Sequence, residues 1–296
     1  MHGNLASNPS PPQSSLGDEC RALACALSGV PADHFLIEML GHGLGGARST
    51  WNATEIVERL DDPALCLRTI YSRYAFARRG KDRKVLAEIA GAALDSALEH
   101  GSLADISIED VWQHYCSTCE SDGRKSSPDL NRSVVLGLAG LAQTIARDKG
   151  TSLARHAANA ARDHGRIEPT FFSIVELRGV GPKVAATMLR DWIYAYAVEE
   201  SVAFRDSIYL QPIDRWTRAA APYLLEDSTA EGFPDWILAG KLGKAARNAG
   251  VSGIRVNLGI SWLGLQAAGS SAPEPRFLEL LSRLVDLSGA HFTPSS

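Results

Sequence analysis

The sequence lacks the features that mark membrane and secreted proteins. No apolar run approaches the ~18–20 residues that span a bilayer, since Arg190, Asp191 and Tyr194 interrupt the longest candidate, residues 184–198. The first residues have neither a basic start nor an apolar core segment, so we expect no secretory signal. These absences predict a protein that makes no membrane contact and works in the cytoplasm.

Paired cysteines and bulk positive charge are also lacking. The chain of 296 residues has five cysteines, an odd and scattered set that excludes a disulfide framework and fits a reducing compartment. They are Cys20, Cys25, Cys66, Cys116 and Cys119. The formal net charge of −4 excludes binding of nucleic acid through overall charge, so such binding must use a local basic face.

A complete metal-binding motif is missing as well. His114, Cys116 and Cys119 form H-x-C-x-x-C, which is half of a zinc site, and no second pair stands nearby at metal-ligand spacing. We therefore expect no metal and interpret Cys116 and Cys119 as free thiols. A structural zinc ion is the alternative.

Helical periodicity is what the sequence does contain. Four segments repeat apolar residues at helical spacing, namely 63–79, 83–99, 133–146 and 274–286. We find no convincing alternating strand pattern and no internal repeat. The sequence therefore predicts an all-α protein. It has a flexible tail at 1–18, rich in Ser, Pro, Asn and Gly, and one domain at 19–296 with two helical lobes joined near 120–128.

The most informative segment is 168–198, EPTFFSIVELRGVGPKVAATMLRDWIYAYAV. Its first part predicts a short amphipathic helix. Gly179-Val180-Gly181 then predicts a tight turn, because glycine tolerates positive φ and close backbone approach, and Pro182 suits the first position of a second helix. Such a turn exposes backbone N–H groups at a positive helix end, which favours phosphate binding. A plain αα-hairpin is the alternative.

Residues 177–185, L-x-G-V-G-P-K-x-A with Arg178 at the first variable position, resemble the helix-hairpin-helix motif of DNA-binding proteins. Arg178 stands where that motif usually has proline. This departure leaves the turn intact and adds a candidate phosphate contact. The resemblance implies that the DNA contacts come from Arg178, Gly179, Val180, Gly181 and Thr187.

A second segment, 212–218, extends the resemblance. Ile213-Asp214 leads into a helix and resembles the V-D-x-x-x-x-R string of the HhH-GPD superfamily of DNA glycosylases. Lys183 directly follows the turn, at the position where glycosylases with added lyase activity carry their nucleophilic lysine. The long spacing from Lys183 to Asp214 resembles the archaeal-type 8-oxoguanine DNA glycosylase branch. Local sequence also predicts Asp214 as a helix N-cap residue.

The resemblance implies a two-lobed HhH-GPD fold and a DNA N-glycosylase with apurinic or apyrimidinic lyase activity. Lys183 would attack C1′, and Asp214 would stabilise the developing positive charge. The implied partner is double-stranded DNA with a modified base, bound by a monomer in the cytoplasm at the nucleoid. No organic cofactor or catalytic metal is implied, although the hairpin carbonyls allow a monovalent cation. The iron–sulfur cluster of endonuclease III relatives is not expected, because no cysteine follows Cys119.

The late segment 253–265 is expected to line the base pocket with Asn257, Ser261 and Trp262. The substrate implied is an oxidised purine such as 8-oxoguanine. Departures such as Arg178 and the altered pocket helix also fit a bulky phage-modified base, glucosylated hydroxymethylcytosine, removed in antiviral defence. A non-catalytic helix-hairpin-helix DNA-binding protein is the alternative from another class.

A basic run leads into the helix predicted over 83–99. It consists of Arg73, Arg78, Arg79, Lys81, Arg83 and Lys84, with Asp82 as the one acidic residue inside it. A solvated helix end is one interpretation, and a face for the DNA backbone is the other.

Overall fold

A computed structural model of the chain describes residues 16–30, 33–36, 40, 52–77, 80–99 and 101–287. The described residues form helices and turns without a strand, which confirms the all-α class. The α-helices, labelled in chain order, are α1 (Leu16–Ser28), α2 (Ala53–Asp61), α3 (Pro63–Ile70), α4 (Arg83–Leu98), α5 (Ile108–Ser121), α6 (Pro128–Lys149), α7 (Leu153–His164), α8 (Glu168–Val175), α9 (Pro182–Ala195), α10 (Arg215–Leu225), α11 (Asp235–Asn248), α12 (Gly253–Ala268) and α13 (Pro273–Leu287). Short 3₁₀ turns occupy Gly80–Asp82, Glu199–Ser201, Phe204–Leu210 and Ala230–Gly232.

Local sequence signals set several helix boundaries. Asp62 caps α3 by accepting hydrogen bonds from the amides of Ala64 at 2.9 Å and Leu65 at 2.8 Å, and Pro63 takes the first helical position. Helix α4 confirms the helix predicted over 83–99, and α6 and α13 extend beyond the ranges predicted for them.

The helix predicted over 63–79 is wrong in its second half. Helix α3 ends at Ile70, and the chain continues as a π-helical turn, Tyr71–Ala75. Both tyrosines of this turn are buried with partners: the Tyr71 hydroxyl donates to the Val135 carbonyl at 2.8 Å, and Tyr74 donates to a carboxylate on α9. A turn of this kind is frequent at functional sites.

The larger hydrophobic cluster holds helices α2 to α9. Trp192, Tyr115 and Val135 are fully buried in it. Helices α5 and α6, on the two sides of the loop near 120–128, pack in the same cluster. The junction between two lobes at this loop stays a prediction. The Asn131 side chain bridges this loop by donating to the Tyr115 hydroxyl at 3.0 Å.

A second, smaller cluster joins α1 to α10–α13. Helices α1 and α12 approach so closely that a Cβ at Gly259 would lie 2.2 Å from the Leu27 carbonyl oxygen. Glycine is therefore required at this crossing. Leu210 belongs to the larger cluster and Ile213 to the smaller one, so the core changes directly before Asp214.

The first helix begins inside the predicted tail. Helix α1 includes residues 16–18, because Asp18 and Glu19 in its first turn suit the positive helix end. Three residues of the predicted tail, 16–18, thus belong to α1, while 1–15 lie outside the described residues, as do 288–296 of the predicted domain. Among the described residues, no helix has the length and apolar character needed to cross a bilayer.

Candidate functional site

The hairpin of α8 and α9 turns at Gly179. The φ of this residue is +96°, in the left-handed region, and a Cβ there would come within 2.5 Å of Val134 Cγ2 on α6. Gly181 has extended backbone, with φ −100° and ψ 167°, and is the N-cap residue of α9. Of the two glycines, Gly179 alone needs positive φ.

The turn leaves several backbone amides without an acceptor. The N–H groups of Gly179, Gly181 and Lys183 donate to no acceptor among the described residues. Val180 differs, since its amide donates to a turn carbonyl at 3.0 Å and its side chain is buried. The Arg178 side chain is exposed beside the turn. Free amides at a helix N-terminus favour an anion, whereas Val180 contributes packing.

Asp214 is the N-cap residue of α10, which confirms the local prediction. Its Oδ1 accepts hydrogen bonds from the amides of Trp216 and Thr217, both at 2.9 Å, and from the Thr217 hydroxyl at 3.1 Å. Within the described part of the chain, no group donates to Oδ2. The cap therefore fixes the carboxyl group and leaves one oxygen available to a ligand.

Lys183 and Asp214 line the same cavity, which has a volume of about 300 Å³. Helix α9 contributes both Lys183 and Thr187 to the wall, and α12 contributes Ser261. The Thr187 hydroxyl donates to the Lys183 carbonyl at 2.7 Å, one turn away. The structure thus brings together the two predicted catalytic residues, one predicted DNA contact and one predicted pocket residue.

The aromatic residues of the cavity wall are Phe35, Tyr74 and Trp216. The sequence analysis placed Trp262 here, but Trp262 packs edge-on against Phe35, with ring centroids 5.4 Å apart, and is not among the described wall residues. Trp216 packs tightly over α12, since a Cβ on Gly264 would lie 2.3 Å from its ring. The sequence could have indicated Trp216 as a wall residue, because it follows Asp214 by two residues in the capped first turn of α10.

A buried polar network lies against the cavity. The Arg190 guanidinium donates to Asp191 Oδ1 at 2.7 and 2.9 Å and to Asn257 Oδ1 at 2.6 Å, and the Tyr74 hydroxyl donates to Asp191 Oδ2 at 2.9 Å. Burial, followed by the Asp191 carboxylate, raises the pKa of Tyr74 well above its ordinary value.

Asn257 serves this network rather than the cavity wall. It is 1% exposed, and its Nδ2 donates to the Pro212 carbonyl at 3.3 Å while its Oδ1 accepts from Arg190. It is not among the described residues that line the cavity. Asn257 was expected to contact a base, but both ends of its amide are engaged. It links α9 and α12 to the segment that leads into Asp214.

Positive charge dominates the cavity wall. Arg73, Arg83 and Lys183 line it, and none of the three pairs with a carboxylate among the described residues. Burial, followed by the neighbouring charge of Arg73, lowers the pKa of Arg83. Asp214 supplies the one carboxylate of the described wall. The cavity therefore attracts anions, although the whole chain carries a net charge of −4.

Residues that bind metals in other proteins do not cluster here or at the H-x-C-x-x-C segment. Within the described ranges, no group of three or more His, Cys, Asp and Glu side chains is arranged to hold an ion. Cys119 is buried and Cys116 is half-buried, and both are free thiols, as the sequence analysis expected.

Comparison of the chain with family models, with characterised proteins and with solved structures gives no match. The resemblance to glycosylases therefore depends on two short motifs, 177–185 and 212–218. These motifs are distant in sequence, and the structure places Lys183 of one and Asp214 of the other at a single cavity.

Proposed function

We propose that this protein is a DNA glycosylase that removes a modified base and then cleaves the strand as a lyase. The observation that carries the proposal is the convergence of Lys183 and Asp214 on one electropositive cavity. A lysine nucleophile with a nearby carboxylate is the pair that this chemistry requires. Neither side chain is occupied by an ion pair with another described residue.

The proposed chemistry begins with the neutral amine of Lys183. Its lone pair attacks C1′ of the target nucleotide as the C1′–N glycosidic bond breaks, and the base leaves with that bonding pair and takes up a proton. Asp214 Oδ2 stabilises the positive charge that develops at C1′ and accepts a proton from the attacking nitrogen. Ring opening gives a Schiff base, and loss of a C2′ proton then expels the 3′-phosphate. These steps need no organic cofactor and no catalytic metal.

Double-stranded DNA is the proposed partner, and the hairpin is its anchor. The free amides of Gly179, Gly181 and Lys183 and the exposed Arg178 would hold phosphates, with a monovalent cation on the hairpin carbonyls as an additional aid. The two hydrophobic clusters, which meet directly before Asp214, support a two-lobed HhH-GPD arrangement whose cleft receives an extruded nucleotide. We propose a monomer that acts in the cytoplasm at the nucleoid.

An oxidised purine such as 8-oxoguanine is the first substrate that we propose. Phe35 and Trp216 supply apolar aromatic surface to the cavity wall, which suits a purine ring. A hydroxyl-rich ligand would need free polar groups on α12, but the Ser261 hydroxyl donates to the Asn257 carbonyl at 3.0 Å and accepts from Arg190 at 3.1 Å. The polar side chains of Asn257 and Ser261 on α12 are thus already engaged.

Glucosylated hydroxymethylcytosine is the second candidate substrate, in a defence role against phage. The observation in its favour is the pair Arg73 and Arg83 on the cavity wall, neither of which pairs with a described carboxylate and whose N–H donors suit sugar hydroxyls. Single-turnover excision from an 8-oxoguanine duplex, measured beside release from glucosylated phage DNA, decides between the two. Release from phage DNA alone would reject the repair role, and release from 8-oxoguanine alone would reject the defence role.

Borohydride trapping tests the lyase chemistry. Wild-type protein on an accepted duplex should form a covalent adduct, because hydride reduces the Schiff base, and Lys183→Gln should form none. Lys84→Gln is a matched control, since Lys84 also lies in the first turn of a helix but is 88% exposed and pairs with Glu88. Base release without a wild-type adduct would remove the lyase step. DNA binding with no base release would favour the non-catalytic alternative.

A further inference from the structure

Two arginines reach the cavity from the side opposite the hairpin. Arg73 lies in the π-helical turn Tyr71–Ala75, and Arg83 is the first residue of α4. Both line the cavity that Lys183 enters from α9. The Arg83 guanidinium donates to the Arg73 carbonyl, so the two residues are held side by side. Two residues of the basic run, Arg73 and Arg83, therefore line the cavity.

This placement is costly in the ligand-free protein. Like charges repel at short range, and a cation in the first turn of α4 faces the positive helix end. Arg73 Nε is buried without a hydrogen-bond partner in the described part of the chain. The nearest acidic residue in sequence, Asp82, instead pairs with Arg124 at 3.4 Å. A buried donor without an acceptor, and two arginines without a carboxylate partner among the described residues, favour an anionic ligand at this wall.

We propose that Arg73 and Arg83 bind a phosphate group of the extruded nucleotide, a role that rests on the proposed glycosylase function. The cavity volume of about 300 Å³ lies at the lower end of the range for small-molecule sites. In a cavity of this size, a phosphate bound by the two arginines keeps its sugar within reach of Lys183 and Asp214. Guanidinium groups match phosphate oxygens through paired N–H donors. The arginine pair thus places C1′ while the aromatic wall holds the base.

Arginine variants and a substrate with a neutral phosphate analogue together test whether the bound anion is the phosphate group. Arg83→Gln and Arg73→Gln should each slow single-turnover base release by roughly 10- to 100-fold, the loss expected for a charged hydrogen bond. A neutral methylphosphonate at the phosphate of the target nucleotide should slow the wild type similarly and should not slow Arg83→Gln further. If the neutral linkage has no effect while an anionic base alone requires Arg83, the anion belongs to the base and the backbone assignment is overturned.

Direct binding separates this inference from the proposed function. The full chain should bind 2′-deoxyguanosine 5′-monophosphate and inorganic phosphate more tightly than 2′-deoxyguanosine in calorimetry, and Arg83→Gln should lose that preference. Arg83→Lys, which keeps the charge, should retain part of it if Arg83→Gln fails to fold. Equal binding by wild type and Arg83→Gln would overturn the phosphate assignment.

Lys84→Gln is the matched control, because Lys84 follows Arg83 but points to solvent at 88% exposure. It should keep both the phosphate preference and the rate of base release. A wild-type protein that binds the monophosphate but releases no base would retain the arginine site and lose the glycosylase function. Base release that does not change in the Arg73 and Arg83 variants would retain the glycosylase function and overturn the arginine site.

Discussion

Asp214 uses its two carboxylate oxygens for different tasks. Oδ1 takes three hydrogen bonds from the start of α10, while Oδ2 accepts none from the described residues. A single substitution can separate these tasks, because asparagine caps helices about as well as aspartate but carries no charge.

Asp214→Asn should therefore keep the fold and the affinity for DNA but lower the rate of base release by on the order of 10³-fold, since a neutral amide cannot stabilise the charge at C1′. Single-turnover kinetics and thermal unfolding measure the two effects. Asp62→Asn is the matched control, because Asp62 caps α3 in the same way. Near wild-type excision by Asp214→Asn would contradict the assignment.

Sequence could predict the local structure around Lys183 and Asp214, a turn followed by a helix and a helix cap, because both depend only on neighbouring residues. It could not predict the environment of Asn257. That side chain meets Arg190, which is 67 residues away, and the contact depends on how α9 crosses α12. The choice of Trp216 over Trp262 depends on the same crossing.

Among the elements, the hairpin turn combines a positive φ at Gly179 with a close approach to a neighbouring helix. Gly179→Ala should destabilise the protein by about 1–2 kcal/mol from positive φ, with an added cost from the contact with Val134. Affinity for all duplexes should fall alike, since a backbone contact reads no sequence. Urea unfolding and fluorescence anisotropy measure the two losses.

Gly150→Ala is the control for that variant, because Gly150 has a φ of +63° with open space around its Cβ position. It should lose stability from backbone strain and keep full DNA affinity. Val134→Ala added to Gly179→Ala should restore the part of the stability that the contact removes. A loss of affinity confined to some sequences would contradict a phosphate contact at the turn.

The network that joins α9 to α12 should govern stability more than catalysis. Arg190→Met should lower the free energy of unfolding by about 3–5 kcal/mol, because Asp191 becomes a buried charge without its partner. Adding Asp191→Leu should recover much of the loss. Urea denaturation of the single and double variants measures this coupling, and strictly additive losses would contradict it. Arg276→Met, which breaks an exposed pair with Glu279, should leave the free energy of unfolding nearly unchanged.

For the whole molecule, the helical class and most helix positions could be predicted, because apolar residues repeat with the 3.6-residue period of a helix in most segments. The division of the core into two hydrophobic clusters could not be predicted in this way. The predicted junction near 120–128 follows a break in the helical pattern, SDGRKSSP, whereas the buried residues pass from the larger to the smaller cluster between Leu210 and Ile213, and α12 contributes to both clusters. Loop composition shows where a helix ends, but the pairing of α1 with α12 depends on distant contacts.

Alkaline pH should destabilise the whole fold. Burial raises the pKa of the Cys66 thiol to about 12 and raises that of Tyr71, whereas the unfolded thiol titrates near its ordinary value of 9.0. The unfolded state then loses protons first, so stability falls as pH rises above about 9, by up to about 1.4 kcal/mol per pH unit for each such group. Urea denaturation between pH 7 and pH 11 measures the slope.

Cys66→Ala should flatten that slope, and Cys25→Ala, at an exposed position, should leave it unchanged. Stability that is constant from pH 8 to pH 11 would contradict the burial of these groups in the native state.

The close crossing of α1 and α12 at Gly259 has a consequence for biosynthesis. The ribosome releases α1 early, but the partners of α1, helices α10–α13, emerge late. Leu23 and Leu27 therefore lack their native packing partners until α10–α13 have been synthesised. Helices α2 to α9 are by then already able to pack against one another. The nascent chain must close a very long loop before this cluster forms, and α1 is the segment that a chaperone would shield in the meantime.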